Sequence, residues 1–530
     1  MHERISTVPR PSRVDVHDGH FTITPGTRIR CTGADAFAVG DLLAEYLRPP
    51  TGYELPVVAY QERGDVGDTD GEGGEILLRQ SGSPLPDEAG FVPERHTCRV
   101  TSEGVVLEAE SAAGLARGVQ TLRQLLPPTV FSSTVQQGQW TVACMYIEDA
   151  PRFRWRGLHL DVSRHFFTAE EVCRFIELLA LHRMNVCHLH LTDDQGWRMP
   201  IERYPRLTEI GSRRAATVVG HSRRRPRRYD DTPHAGFYTK DEIRHIVEFA
   251  SRRHVIVVPE IDMPGHMQAA IAAYPELGNT DATIEPRCHW GISQHVLNME
   301  ESTVRFMQGV LEEVIELFPS RFVHVGGDEA PRHEWQESRS AQRRMGELGL
   351  THEDQLQSWF IGRMDEYLAE HGRRLIGWDE ILEGGLASGA TVMSWRGEKG
   401  GLEAAELGHD VVMAPKQWVY FDYYQAEPIA EEPLAIGGMT PTDRVYAYEP
   451  VPEAMPPEQH PHILGAQGQL WSEYIADLRK LEYMTYPRAC ALAEVLWLEP
   501  DQKRFSDFHQ RLTHHRDRLR VLEVNAHPRP

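Results

Sequence analysis

The pattern of apolar and polar positions changes near residue 150 of this 530-residue chain. Before it, short runs such as FTITPG (from Phe21) and GVVLEAE (from Gly104) alternate with a period of two, as half-buried strands do. Ala36–Leu47 and Ala112–Leu125 instead space their apolar residues as helices do. Gly64–Gly74, rich in Gly and Asp, reads as a loop. Residues 1–150 therefore predict a small α+β domain, and no cluster of catalytic side chains gathers there.

From Phe153 the texture is different. Strongly apolar runs alternate with amphipathic helical patterns such as TAEEVCRFIELLALHR (from Thr168) and TVRFMQGVLEEVIELF (from Thr303). The strand candidates are WRGLHLDVS, NVCHLHLTDD, VIVVPEID, FVHVGGDE, RRLIGWDE, TVMSWRG, DVVMAP and ILGAQGQLW. Strands without alternation are buried on both faces, which requires a parallel sheet covered by helices. Eight such repeats over residues 151–500 predict a (β/α)8 TIM-type barrel. A doubly wound open sheet is the alternative, but no Gly-rich dinucleotide fingerprint opens the first strand-to-helix turn. Residues 501–530 hold a helical pattern, RFSDFHQRLTHHRDRL, expected to pack on the barrel.

The candidate chemistry sits where these runs end. Asp161 and Arg164 follow the first, Asp193 and Asp194 the second, Asp262 and His266 the third, and Asp328 and Glu329 the fourth. Trp378 and Asp379 end the fifth, Trp395 the sixth, and Trp471 and Glu473 the eighth. A barrel brings all of these ends to one face. In GGDE the glycines permit a close backbone, and two adjacent, partly buried carboxylates repel each other, so one pKa should rise. A Glu329 raised in this way would suit general acid catalysis of glycoside hydrolysis. Because neighbours on a strand face opposite ways, Asp328 and Glu329 are expected to be poorly placed as a facing pair unless the strand end is distorted. His266 fits a relay to a carboxylic acid, and the tryptophans fit stacking on a sugar ring, with barrel core as the other reading of both.

His188 and His190 form an HxH pair that could bind a metal, as in barrel metallohydrolases. Their position inside the strand favours core instead, with only one ring able to reach the site. The net charge of −22, from 56 basic and 78 acidic residues, disfavours nucleic acid and anionic membranes as partners. The seven scattered cysteines, none in a CxxC spacing, argue against a disulfide framework or a structural zinc site. The N-terminus lacks the apolar core of a secretion signal, which gives a cytoplasmic expectation unless a leader has been removed. His221–His234 (HSRRRPRRYDDTPH) reads as a solvated loop, with a polyanion site as its rival.

Taken in order, GLHLDVSR, HLTDDQGWR, PEIDMPGH, HVGGDE, GWDE, SWRG, YFD and QLWSE resemble glycoside hydrolase family 20, the β-N-acetylhexosaminidases. The match runs from about Phe153 to Trp497. AAGLARGVQTLRQLL resembles the end of the accessory domain that precedes this family's barrel. The resemblance implies exo-acting, retaining hydrolysis of terminal β-linked GlcNAc or GalNAc, with no cofactor or metal and a glycan as the partner. It implies Glu329 as general acid/base, and Asp328 and Tyr420 holding the substrate's 2-acetamido group, which attacks the anomeric carbon to give an oxazolinium intermediate. Asp193 and His266 would stand behind Glu329. Arg164, Asp262, Asp422 and Glu473 would bind the sugar, and Trp378, Trp395 and Trp471 would wall the pocket. The long Arg-rich loop after the second strand and the lengthened segment after GGDE depart from the family pattern on the leaving-group side. A sugar-binding barrel without catalysis and a metal-dependent hydrolase built on His188 and His190 are the alternatives.

Overall fold

A computed structural model describes residues 5–60 and 74–529; most of the Gly64–Gly74 segment lies outside the described residues. The N-terminal region forms a seven-stranded sheet from β1 (Arg13–Ile23), β2 (Arg28–Thr32), β3 (Val57–Ala59), β4 (Glu75–Gln80), β5 (His96–Thr101), β6 (Gly104–Ala109) and β7 (Trp140–Asp149). The strand order is β1-β7-β5-β6-β4-β2-β3. The period-two signal of GVVLEAE is visible in β6, whose buried residues Val105, Leu107 and Ala109 alternate with more exposed ones.

Two helices, α1 (Ala36–Thr51) and α2 (Ala112–Leu125), accompany this sheet. The first runs one turn beyond its apolar pattern and stops at Gly52, whose φ of 70° closes the helix. Nearly every residue of α2 is buried, because it packs on the sheet and also meets the barrel. Ser111 caps it by accepting from the Gly114 N–H at 3.0 Å. Its polar residues bond across the seam. Arg117 donates to Glu94 at 2.8 Å and to the His254 carbonyl, and Gln124 donates to Leu181 O at 2.9 Å. Arg156 of the barrel completes the Glu94 pairing.

Eight parallel strands then close a barrel: Trp155–Asp161, Val186–His190, Ile256–Glu260, Phe322–His324, Arg374–Trp378, Thr391–Ser394, Val411–Met413 and Ile463–Gly468. All eight sequence candidates become barrel strands. An apolar plug of Trp155, Val186, Val258, Phe322, Ile376 and Leu464 fills one end, with Phe91 inserted from the N-terminal region. Trp155 meets Phe322 edge-on at 5.3 Å. The C-terminal helix, Phe505–Val521, touches both parts. Arg511 pairs with Glu494 through two bonds of 2.6 and 2.8 Å, and Arg518 donates to Gln124 O at 2.6 Å. The lengthened segment after GGDE folds as two helices, His333–Glu337 and Arg339–Leu348, anchored by the buried Trp335. All seven cysteines are free, and no described helix is long and apolar enough to cross a membrane.

Candidate active site

The middle of the barrel is polar. Glu260, fully buried at the end of the third strand, accepts from His190 Nδ1 at 2.6 Å and from Trp378 Nε1 at 2.9 Å. His188 Nε2 and His324 Nδ1 each lie 3.0 Å from it, and the latter accepts from the Gly326 N–H. A buried carboxylate without partners would cost several kcal/mol, on the order of the penalty for any unpaired buried ion; here two hydrogen bonds and the charge of His190 offset it. Nothing local marks this role, because Glu260 lies inside an otherwise apolar run. His188 also contacts the Gln467 side chain through Nδ1 at 2.9 Å.

His190 carries the network upward. Its Nε2 donates to Asp193 Oδ2 at 2.8 Å, so both ring nitrogens face carboxylates. Burial works against charge on this ring, but Glu260 and Asp193 prevail and hold its pKa well above the usual histidine range. An imidazolium has no lone pair to offer a metal. The other HxH ring, His188, is occupied by Glu260 and Gln467. Several barrel groups are close enough together to hold an ion, including His188, Glu260 and His324. The hydrogen bonding of these rings favours a structural role instead.

Asp193 is the junction. It accepts from Arg164 Nη2 at 2.7 Å and from His266 Nδ1 at 3.2 Å. Arg164 is fixed in turn by Asp161 at 3.2 Å and by Gln195 Oε1 at 3.1 Å. Asp161 also accepts from the backbone of Ser163, Arg164 and Ser472, which ties the first strand's end to the eighth's. Asp194 accepts from the backbone N–H of Gln268 and Ser293, pinning the loops beside His266.

The far nitrogen of His266, Nε2, lies 3.6 Å from Glu329 Oε2 and 3.8 Å from Asp328 Oδ2. Both members of the GGDE pair therefore face one imidazole. The strand end is distorted, the exception that strand alternation left open: the fourth strand ends at His324 and the chain turns sharply beyond it. Gly326, Gly327 and Glu329 have φ of 68°, 92° and 45°. A side chain on Gly326 would collide with Asp262 Oδ1, 1.7 Å away, and one on Gly327 with Ile381 at 2.5 Å. Only glycine fits at either position. Glu329 itself holds a strained left-handed conformation, as does His266 at φ 54°. Asp262 is 1% exposed and lies behind this turn, where Oδ1 accepts from the Gly327 N–H at 3.3 Å. That placement gives it a supporting position rather than one on the pocket wall.

The electrostatics reverse one expectation. Burial pushes Glu329 up, but the hydrogen bond and charge of His266, with Arg164, bring its pKa below the ordinary value. His266 resists desolvation with the help of Asp193, Asp194 and Glu329, and its pKa stands well above the usual range. The raised carboxyl of the pair is Asp328, at about 6, through burial and then the charge of Glu329. Sequence proximity indicates that adjacent carboxylates interact; which one rises depends on where the imidazole and guanidinium fall.

The remaining candidates surround these acids. Trp378 and Trp471 lie 5.7 Å apart at 43°, and Trp395 stacks on Tyr420 at 6.2 Å. Burial, then mutual repulsion, raises the pKa of Asp422; burial also raises that of Glu473 despite Arg164. Glu380, which the sequence reading passed over in GWDE, accepts from Trp395 Nε1 at 2.9 Å and is pushed up to about 9 by burial, Asp328 and Asp379. Asp328 Oδ1, Asp422 Oδ1 and Glu473 Oε2 are buried without a protein partner. Each such acceptor costs roughly 1–3 kcal/mol unless a ligand donor meets it. Acceptors beside aromatic faces suit a polyhydroxylated ring.

Residues 153–500 match the model of the glycosyl hydrolase family 20 catalytic domain, and residues 4–150 that of the family's domain 2. The chain belongs to glycosyl hydrolase family 20. Among family 20 relatives, a β-hexosaminidase of Porphyromonas gingivalis is 40% identical over 99% of this chain; the chain spans 64% of that protein's length. A Vibrio furnissii β-hexosaminidase is 36% identical over 92% of this chain and 76% of its own length. A mutant Streptomyces plicatus β-hexosaminidase in complex with the product GlcNAc superposes with a TM-score of 0.84 at 33% identity, covering 99% of this chain and 97% of that one.

Proposed function

We propose that this family 20 chain is an exo-acting, retaining β-N-acetylhexosaminidase that removes terminal β-linked GlcNAc or GalNAc with assistance from the substrate's own acetamido group. The observation that carries the reading is the meeting of Asp328 and Glu329 on His266, beside Tyr420 and three unpartnered carboxylate oxygens. The names of the relatives and the GlcNAc bound in the Streptomyces plicatus structure support the substrate class.

Glu329 protonates the glycosidic oxygen. In the empty site His266 holds the proton and Glu329 is ionised, so substrate entry must shift that proton across the 3.6 Å gap. Filling the pocket excludes water and brings an ether oxygen to Glu329, which favours its neutral form. Asp328, once ionised, accepts from the acetamido N–H and stabilises the positive charge that develops on the oxazolinium ring. Tyr420 donates to the acetamido oxygen and keeps it on its attack line, so the displacement is intramolecular. Water then opens the ring with Glu329 as base, which gives net retention. Arg164, Asp422 and Glu473 anchor hydroxyls, and Trp378, Trp395 and Trp471 enclose a single sugar.

The test is turnover of chromogenic β-glycosides with and without the 2-acetamido group. Turnover confined to the acetamido sugars supports the reading; turnover of none of them supports a sugar-binding barrel without catalysis.

A further inference from the structure

The Arg-rich loop remains unexplained by the pocket chemistry. It is tethered to three other loops. Ser222 N–H donates to the Tyr474 hydroxyl at 2.9 Å, Ser222 Oγ to Trp290 O at 3.1 Å, and His221 Nε2 meets Ile436 O at 3.1 Å. Tyr474 follows Glu473 directly. Trp290 follows His289, whose carbonyl accepts from Gln195, the same side chain that fixes Arg164. The loop is thus tied to the pocket wall at two points.

Its charge is not neutralised. Arg223, Arg224, Arg225 and Arg228 are exposed and Arg227 is half-buried. Arg225 donates to the carbonyls of Ser222 and Arg224, and Arg227 to that of Ser222. None of the five pairs with a carboxylate among the described residues. This concentration of unpaired positive charge occurs in a chain of net charge −22. The loop's anchor on Tyr474 sets it beside Glu473; burial first, then the charge of Arg287, Arg227 and Arg225, holds the pKa of the neighbouring His289 down at about 4. Arg287 lies 3.8 Å from Asp194, which itself flanks His266. Five arginines within six residues repel one another, an effect partly relieved by salt; a fixed anchor at Ser222 that keeps them together beside a binding pocket needs a further reason.

From this we infer that the rim Arg223–Arg228, with Arg287, is a leaving-group subsite for an anionic sugar: the enzyme favours N-acetylhexosamine linked to a residue that carries a carboxylate or sulfate. The inference rests on the exo reading. If the pocket encloses one terminal sugar, whatever reaches the rim belongs to the leaving group. Guanidinium groups match carboxylate and sulfate oxygens in pairs, which a lysine rim would not.

The experiment compares kcat/KM for a neutral chromogenic N-acetylhexosaminide, a disaccharide of N-acetylhexosamine β-linked to a uronic acid, and its analogue linked to neutral glucose. A sulfated analogue distinguishes the two anion sources. At low salt the acidic disaccharide is expected to exceed its neutral analogue by about tenfold, an advantage that shrinks as salt screens it. Arg225→Gln/Arg227→Gln should abolish that ratio and leave the chromogenic substrate unchanged. Arg225→Glu/Arg227→Glu should invert it. If the chromogenic substrate is turned over but the acidic ratio is near one, or survives both variants, the subsite is wrong and the hexosaminidase reading stands. If no acetamido substrate is turned over, both fall. Binding of a soluble polyanion by the loop without any effect on the ratio would also overturn the subsite.

Discussion

His266 Nε2 lies 3.6 Å from Glu329 Oε2 while its Nδ1 is held by Asp193 at 3.2 Å. The ring therefore links the buried network that starts at Glu260 to the carboxylate proposed as general acid. In the unliganded protein the proton rests on the histidine, so Glu329 is an acid only with substrate in place. Glu329→Gln retains the shape and removes the transferable proton. General acid catalysis contributes ~100- to 10,000-fold. The loss should be of that size for sugar leaving groups and much smaller for activated aryl glycosides. Equal loss on both would mean that Glu329 is not the acid.

Asp328 gives a pH prediction with a definite sign. Burial and the charge of Glu329 raise its folded-state pKa from 3.8 to about 6. A raised carboxyl contributes stability that is present below the unfolded pKa and lost as pH rises through about 6, roughly 3 kcal/mol in all. Asp328→Asn should therefore be more stable than wild type near pH 8, with the advantage shrinking toward pH 4, and it should be almost inactive. Chemical unfolding of both proteins across this range is the measurement. A stability difference that does not change with pH would contradict it. The acid limb of kcat/KM should also fall near pH 6, where Asp328 loses its charge.

Glu260→Gln tests the barrel network. Removing this charge leaves His190 a buried cation with one carboxylate fewer, and breaking a buried pair typically costs about 3–5 kcal/mol. The thermal midpoint should drop markedly, and the pH profile of kcat should move because His190 and His266 share Asp193. An unchanged midpoint and profile would show that the contacts of Glu260 carry little.

Metal removal should not matter. His190 spends both nitrogens on carboxylates, and His188 is bonded to Gln467 and lies 3.0 Å from Glu260. Activity is expected to survive prolonged treatment with a strong chelator. Loss that zinc restores would revive the metallohydrolase reading of His188 and His190.

The barrel strands were legible because a strand buried on both faces reads as an apolar run, and their polar ends stood out against it. Helix α2 was legible to the residue through its spacing. Glu260 was not, since nothing local distinguishes a carboxylate that His190 and Trp378, from other strands, will satisfy. The pKa order of Asp328 and Glu329 was misjudged for the same reason: His266 and Arg164 come from distant segments. The glycines of GGDE signalled a close approach, but not that the turn would swing both acids toward one ring. The Arg-rich loop was visible as composition, whereas its anchorage at Ser222 to Tyr474 and Trp290 required the fold.

The central claim, that the substrate supplies the nucleophile, is tested most directly by kcat/KM for a matched pair: an aryl β-N-acetylglucosaminide and the corresponding plain β-glucoside. Substrate assistance predicts turnover of the first and essentially none of the second, with no covalent sugar on the protein at any stage. Efficient cleavage of the glucoside, or a sugar trapped on Glu473, would contradict it.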